Sequence, residues 1–182
     1  MANEARDSRV MAKFNLIVTH LPGLPNKRDA IRHLTWLLDD VEIVDSRPNI
    51  LLARVPDPGE AVARLRRSLP RDTPILRVIP VHAITYPRVE HVKRVVDDLL
   101  SRAPPGSFAI RIDGHLLDSE GRMMHRTDSA IVLAEGVDRP VNLSEPDVLV
   151  YIKVVRYRRG YLAAVYVGPP SGILRVKELR GE

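Results

Sequence analysis

The sequence predicts an α+β fold made of two sheet-and-helix domains in succession. Three observations carry that expectation. Short β-branched runs alternate with longer stretches whose apolar residues recur at three and four. Between residues 14 and 84 these elements follow the order strand, helix, strand, strand, helix, strand. After a break at Pro104-Pro105-Gly106, strands and a helix return and end in a long β-branched hairpin.

Each element has a local reason. Phe14 to Thr19 is a short strand, stopped by Leu21-Pro22-Gly23-Leu24-Pro25. Asn26 offers an N-cap to a helix whose buried stripe is Ala30, Ile31, Leu34, Leu37 and Leu38. Val41–Val44 and Ile50–Val55 read as strands around the turn Asp45 to Asn49. Asp57-Pro58-Gly59 starts a second helix with Ala61, Val62, Leu65 and Leu69 on one face. Ile75 to Ile84 is a further strand, where Pro80 implies an edge position or a bulge. This order is the split βαβ, ferredoxin-like arrangement, two helices on one face of an antiparallel sheet. A domain boundary is expected near Tyr86-Pro87, which sets the first domain at 12–86. From Val89 a helix carries Val92, Val95, Val96, Leu99 and Leu100 and ends at the two prolines. The second domain is expected at 87–168, and residues 169–182 form a short C-terminal tail, with Ile173 to Leu179 able to add a last strand.

Composition narrows the functional classes. The 182 residues carry 28 Lys and Arg against 23 Asp and Glu, a net charge of +5. The excess is spread along the chain: 16 basic against 13 acidic residues in 1–100, and 12 against 10 in 101–182. No basic tail explains it, and a polyanionic partner is compatible with it. There is no cysteine, which removes disulfides and thiolate metal sites and fits a cytoplasmic protein. No run of 18 apolar residues exists, so no membrane span is expected, and Met1 to Arg9 lacks the apolar region of a signal peptide.

The most informative stretch is Ser107 to Val167. A strand at Phe108-Ala109-Ile110-Arg111-Ile112 leads into a polar segment, then a helical pattern over Thr127 to Val137. Next comes Val141-Asn142-Leu143-Ser144-Glu145-Pro146-Asp147, running into the strand Val148 to Val155. The chain turns at Tyr157-Arg158-Arg159-Gly160 and returns as Tyr161 to Val167. Strand, helix, this phrase and a hairpin in this order resemble the THUMP domain, an RNA-binding module of tRNA-modifying proteins. Val141, Leu143, Pro146 and Asp147 fit the family phrase V-D-L-x-x-P-D, with Asn142 where Asp is usual. The resemblance implies a THUMP-like α/β domain after the ferredoxin-like one, gripping the acceptor stem and 3′ end of tRNA. No catalytic domain is expected in the short stretch after the hairpin. The chain is therefore similar to the stand-alone adaptor that helps an acetyltransferase form acetylcytidine in tRNA, which implies a non-catalytic protein without cofactor.

Candidate contacts lie in the same stretch. Arg111 alternates with Ile110 and Ile112 and points away from the core. His115, Arg122, His125 and Arg126 line the loop and the start of the next helix, capped by Thr127 or Asp128. Backbone N–H groups and the helix dipole add to such cations at a phosphate site. Lys153 lies beside Tyr151 on the hairpin, on a face expected to be exposed. Aromatic residues are only 4% of the chain, so phosphates and RNA shape are favoured over base stacking. The phosphate-loop, dinucleotide, zincin and nucleophile-elbow motifs are all missing. The six histidines never fall at metal-ligand spacing with a second ligand. Two alternatives stay open: a small RNA-processing nuclease using Asp113, His115 and Glu120, and a protein-interaction module whose basic character is incidental.

Overall fold

The computed structural model describes residues 13–182. In chain order its elements are β1 (Leu16–His20), α1 (Leu24–Leu37), β2 (Glu42–Arg47), β3 (Ile50–Arg54), α2 (Pro58–Ser68), β4 (Ile75–Pro80) and β5 (Ala83–Thr85). They continue with α3 (Val89–Ser101), β6 (Phe108–Asp113), α4 (Arg126–Ala134), β7 (Val148–Tyr157), β8 (Gly160–Gly168), β9 (Leu174–Arg175) and α5 (Val176–Leu179). The chain divides into two compact units, one running to Val81 and including Ser171–Glu182, the other His82–Pro170.

In the first unit the strand order is β2-β3-β1-β4-β9, every neighbouring pair antiparallel. The first four strands therefore have the split βαβ topology expected of them. Leu16 and Val18 of β1 and Leu51 and Ala53 of β3 alternate onto one face. There they bury against Ala30 and Leu34 of α1 and Ala61, Val62 and Leu65 of α2. On β4 the core residues are Ile75 and Val78, three apart, which strict alternation forbids. A register shift between Thr19 and His20 leaves Leu76 without a paired partner and restores the face.

Three sequence expectations change here. The strand read as continuous over 75–84 is two strands, β4 in the first sheet and β5 paired with β8 in the second. Pro80 closes β4: Val81 N–H donates to Asn15 O at 2.9 Å, so alternation turns the nitrogen of Pro80 to the other edge. That edge is paired with β9 only at Arg77 and Val78, and no ladder bond is lost. The helix expected to be capped by Asn26 begins earlier, after Gly23 at φ 103, with no side-chain cap. Asn26 Nδ2 donates instead to Pro22 O at 2.7 Å. The last residues are more than a tail, since β9 and α5 supply the buried Leu174 and Val176 to the first core. The second helix starts where expected, and Asp57 caps it, accepting from Glu60 N–H at 3.1 Å.

The second sheet has the order β5-β8-β7-β6. β6 and β7 are parallel over Phe108↔Val148 to Asp113↔Lys153, which requires a crossover, supplied through α4. β7 and β8 form the long antiparallel hairpin. One face carries Phe108, Val150, Ile152, Ala163 and Val165, packed with Val92, Val96 and Leu100 of α3 and Leu133 of α4. This is an α+β protein with a THUMP-like α/β second unit. No helix among the described residues is long and apolar enough to cross a membrane.

Candidate nucleic-acid interface

β6 is an edge strand, and the segment before β7 runs along part of its open side. Phe108 N–H donates to Pro140 O at 2.9 Å, and Asn142 N–H donates to Phe108 O at 3.0 Å. Residues 108, 110 and 112 therefore turn their backbone groups outward, as parallel pairing dictates. Beyond Phe108 the outward groups of Ile110 and Ile112 have no loop partner among the described residues. This open edge, next to Arg111, was not legible in the sequence, because strand order is a tertiary property.

The phrase at 141–147 is spent mostly on holding this edge in place. Asn142 Oδ1 accepts from Ser144 N–H (3.2 Å), Ser144 Oγ (3.1 Å) and Glu145 N–H (3.0 Å). Only an acceptor oxygen is needed, so Asn serves where Asp is usual. Asp147 Oδ2 accepts from Ser107 N–H at 2.9 Å and from Ser107 Oγ at 3.1 Å. Gly106, at φ 132, makes room for it, since a Cβ there would sit 2.6 Å from Asp147 Oδ2. Pro146 is buried, whereas Leu143 is 72% exposed. Arg139 braces the approach to β6 by reaching four carbonyls at the end of α3 and beyond: Pro104 (2.6 Å), Leu100 (3.0 Å), Ala103 (3.2 Å) and Gly106 (3.3 Å).

The loop after β6 folds back as a small hairpin. Met124 N–H donates to Leu116 O, and Asp118 N–H to Arg122 O, both at 2.8 Å. The fold-back gathers three of the predicted residues. His115 Nδ1–H donates to Met124 O at 3.2 Å, beside His125. The His125 ring caps α4, accepting from Thr127 N–H at 3.3 Å, so the cap is His125 and not Thr127 or Asp128. Arg126 Nε–H donates to Gly114 O at 3.3 Å, one residue from His115. All three are exposed. Arg111 stands farther back on β6, its Nη2 3.5 Å from Leu143 O, at the limit of hydrogen bonding.

The other two are compensated within the unit. Arg122, at the hairpin tip, pairs with Glu120 and with Asp118 at 3.5 Å. The N–H groups of Arg122 and Glu120 hold the Asp118 carboxyl below the usual carboxylate range. Lys153 Nζ donates to Asp113 Oδ2 at 2.6 Å with only 12% of its side chain exposed. Cross-strand register places these two side by side. Tyr151 Oη also donates to Asp113 Oδ2, at 3.2 Å. The Tyr151 face is not the exposed surface expected of it, since Tyr151 and Val155 are both buried.

The nuclease constellation is dispersed among other partners: Asp113 to Lys153 and Tyr151, His115 to Met124 O, Glu120 to Arg122. Among the described residues no cluster of His, Asp and Glu could hold a metal ion.

Fold and site together define an α+β chain with a cationic strand edge and helix start in a THUMP-like unit. No protein-family model matches the sequence, and no curated protein matches it. Solved structures do. PH1313 from Pyrococcus horikoshii Ot3 aligns with a TM-score of 0.56 at 15% identity, over 86% of this chain and 55% of that one. A 4-thiouridine synthetase–RNA complex with bound ATP gives a TM-score of 0.51 at 12% identity, over 86% and 42%. TrmN from Thermus thermophilus gives 0.52 at 19%, over 84% and 44%. At these identities the likeness shows the fold, and the chain spans about half the length of these proteins.

Proposed function

We propose that this chain is a non-catalytic tRNA-binding protein that presents tRNA to a separate RNA-modifying enzyme. The observation that carries the reading is the gathering of His115, His125 and Arg126 at the start of α4, next to the β6 edge that bears Arg111. It occurs in a fold shared with a synthetase solved in complex with RNA. Exposed cations without an acidic partner attract phosphate, and a helix start adds N–H groups and a favourable dipole. In support, the exposed Arg126 and the half-buried Arg111 meet no carboxylate among the described residues, whereas Arg122 and Lys153 are paired with carboxylates. The target is the acceptor stem and 3′ end of tRNA. The enzyme served is an acetyltransferase that forms acetylcytidine, an assignment resting on the resemblance in sequence order described above.

The test is tRNA binding at two salt concentrations, with intact tRNA compared to tRNA lacking its single-stranded 3′ end. Affinity should fall as salt rises, because each neutralised phosphate releases counterions. Losing one phosphate contact should flatten the log–log slope by about 0.7–0.9. R111A and R126A are expected to weaken binding and flatten that slope. Unchanged binding in the double variant would place the interface elsewhere. Acetylcytidine formation by the acetyltransferase, measured with and without this chain, tests the adaptor role, and equal rates would reject it.

A further inference from the structure

The only tryptophan of the chain, Trp36, lies on α1 of the first unit and is 78% exposed. A large aromatic ring left in water is unusual in a protein with so few aromatics. The helix ridge that leads up to it is cationic. Arg28, Arg32 and Trp36 are spaced by four, so they form one ridge along the helix, about 12 Å long at 1.5 Å per residue. All three are exposed. Arg28 makes no hydrogen bond or ion pair among the described residues. Arg32 meets Asp29 at 2.9 Å, with both side chains largely in water, a pair that holds little energy and opens readily. Asp39, the nearest carboxylate after the helix, is occupied by Arg64 at 2.8 Å.

We propose that this ridge is a second RNA-contacting surface, on which an unpaired base stacks on Trp36 while neighbouring phosphates meet Arg28 and Arg32. Aromatic rings interleaved with cations are the recurring solution for single-stranded nucleic acid, because every base has a π-face and every linkage a charge. A protein partner would be expected to find apolar neighbours around the ring, whereas the ridge leading up to Trp36 presents Arg32 and then Arg28, with the exposed Leu24 only at its far end and the exposed Asp39 and Asp40 after the helix. The surface rests on the RNA-binding reading above and adds a stacking contact to it, in a unit that reading does not use.

Because Trp36 is the sole tryptophan, its fluorescence reports this surface alone. Titration with tRNA, and with a short single-stranded oligoadenylate, should quench it in the wild type. W36A should lose about 5-fold or more in affinity, the low end of one stacked base. W36F should retain most of the binding, and R28A with R32A should weaken it in a salt-dependent way. Trp36 faces solvent, so circular dichroism is expected to show each variant folded. Unchanged fluorescence with W36A binding like wild type would overturn this inference, while loss of binding in R111A and R126A would leave the first reading standing. Quenching by oligoadenylate without tRNA binding would sustain the ridge and reject the adaptor. Loss of a protein contact in W36A, with RNA binding intact, would assign the ridge to a protein and overturn the proposal.

Discussion

Replacing Arg139 by alanine should destabilise the second unit by about 3 kcal/mol. Its guanidinium reaches four carbonyls, two at 3.0 Å or less (Pro104 and Leu100) and two at 3.2–3.3 Å (Ala103 and Gly106). A hydrogen bond to a charged group contributes about 1.5–3 kcal/mol. Counting only the two short ones, at the low end because part of the site is wet, gives about 3 kcal/mol. The cation also sits at the C-terminal end of α3, a favourable position for the helix dipole worth at most about 1 kcal/mol here. The measurement is urea unfolding followed by circular dichroism, with thermal melting alongside. A loss of 3 kcal/mol corresponds to about 6–12 °C for a chain of this size. R139K separates charge from geometry, since an ammonium keeps the dipole interaction but cannot fork across carbonyls on both sides. It should recover about 1 kcal/mol. A loss below 1 kcal/mol in R139A, or a lysine variant as stable as the parent, would refute the bracing role.

Three further outcomes are expected. N142D should keep its stability, because the turn needs only the acceptor oxygen, whereas N142A should lose about 1 kcal/mol by freeing the Ser144 and Glu145 N–H groups; equal losses in both would show that Asn142 does something else. G106A should cost several kcal/mol, combining a strained φ of 132 with a Cβ 2.6 Å from Asp147 Oδ2, and a melting temperature within a degree of the parent would contradict it. His82 stacks on Tyr166 with ring centroids 4.9 Å apart, and desolvation lowers its pKa. The unfolded chain, near the ordinary value of about 6.5, then binds the proton first. Stability should fall as pH drops from 6.5 toward the folded value, moderated by the water-exposed part of the residue. Unfolding midpoints at pH 7 and pH 5.5 should differ less in H82N than in the parent, and identical differences would exclude His82.

The sequence by itself determined the elements and their order. Short apolar runs such as Leu16–Val18 and helical stripes such as Val92, Val96 and Leu100 are local facts, and all of these residues are buried. Helix starts and breaks were also local, as at Asp57-Pro58-Gly59 and at Pro104-Pro105-Gly106, whereas the expected caps, Asn26 and Thr127 or Asp128, gave way to Gly23 and His125. Tertiary structure decided what depends on register and on who sits beside whom. The bulge opposite Thr19/His20 lets Ile75 and Val78 share a face, and the strand read as one over 75–84 serves two sheets. The same limit governed the candidate interface. Arg111, Arg122, Arg126 and Lys153 are equal as letters, but parallel register sets Asp113 against Lys153, and a fold-back of the loop sets Arg122 against Asp118 and Glu120. Of these four, only Arg111 and Arg126 have no carboxylate partner among the described residues. The open edge of β6 and the exposed face of Trp36 were equally out of reach, because exposure depends on what the rest of the chain covers. A residue's chemistry is written in the sequence, and its neighbours, which settle whether that chemistry is spent or available, are assembled only by the fold.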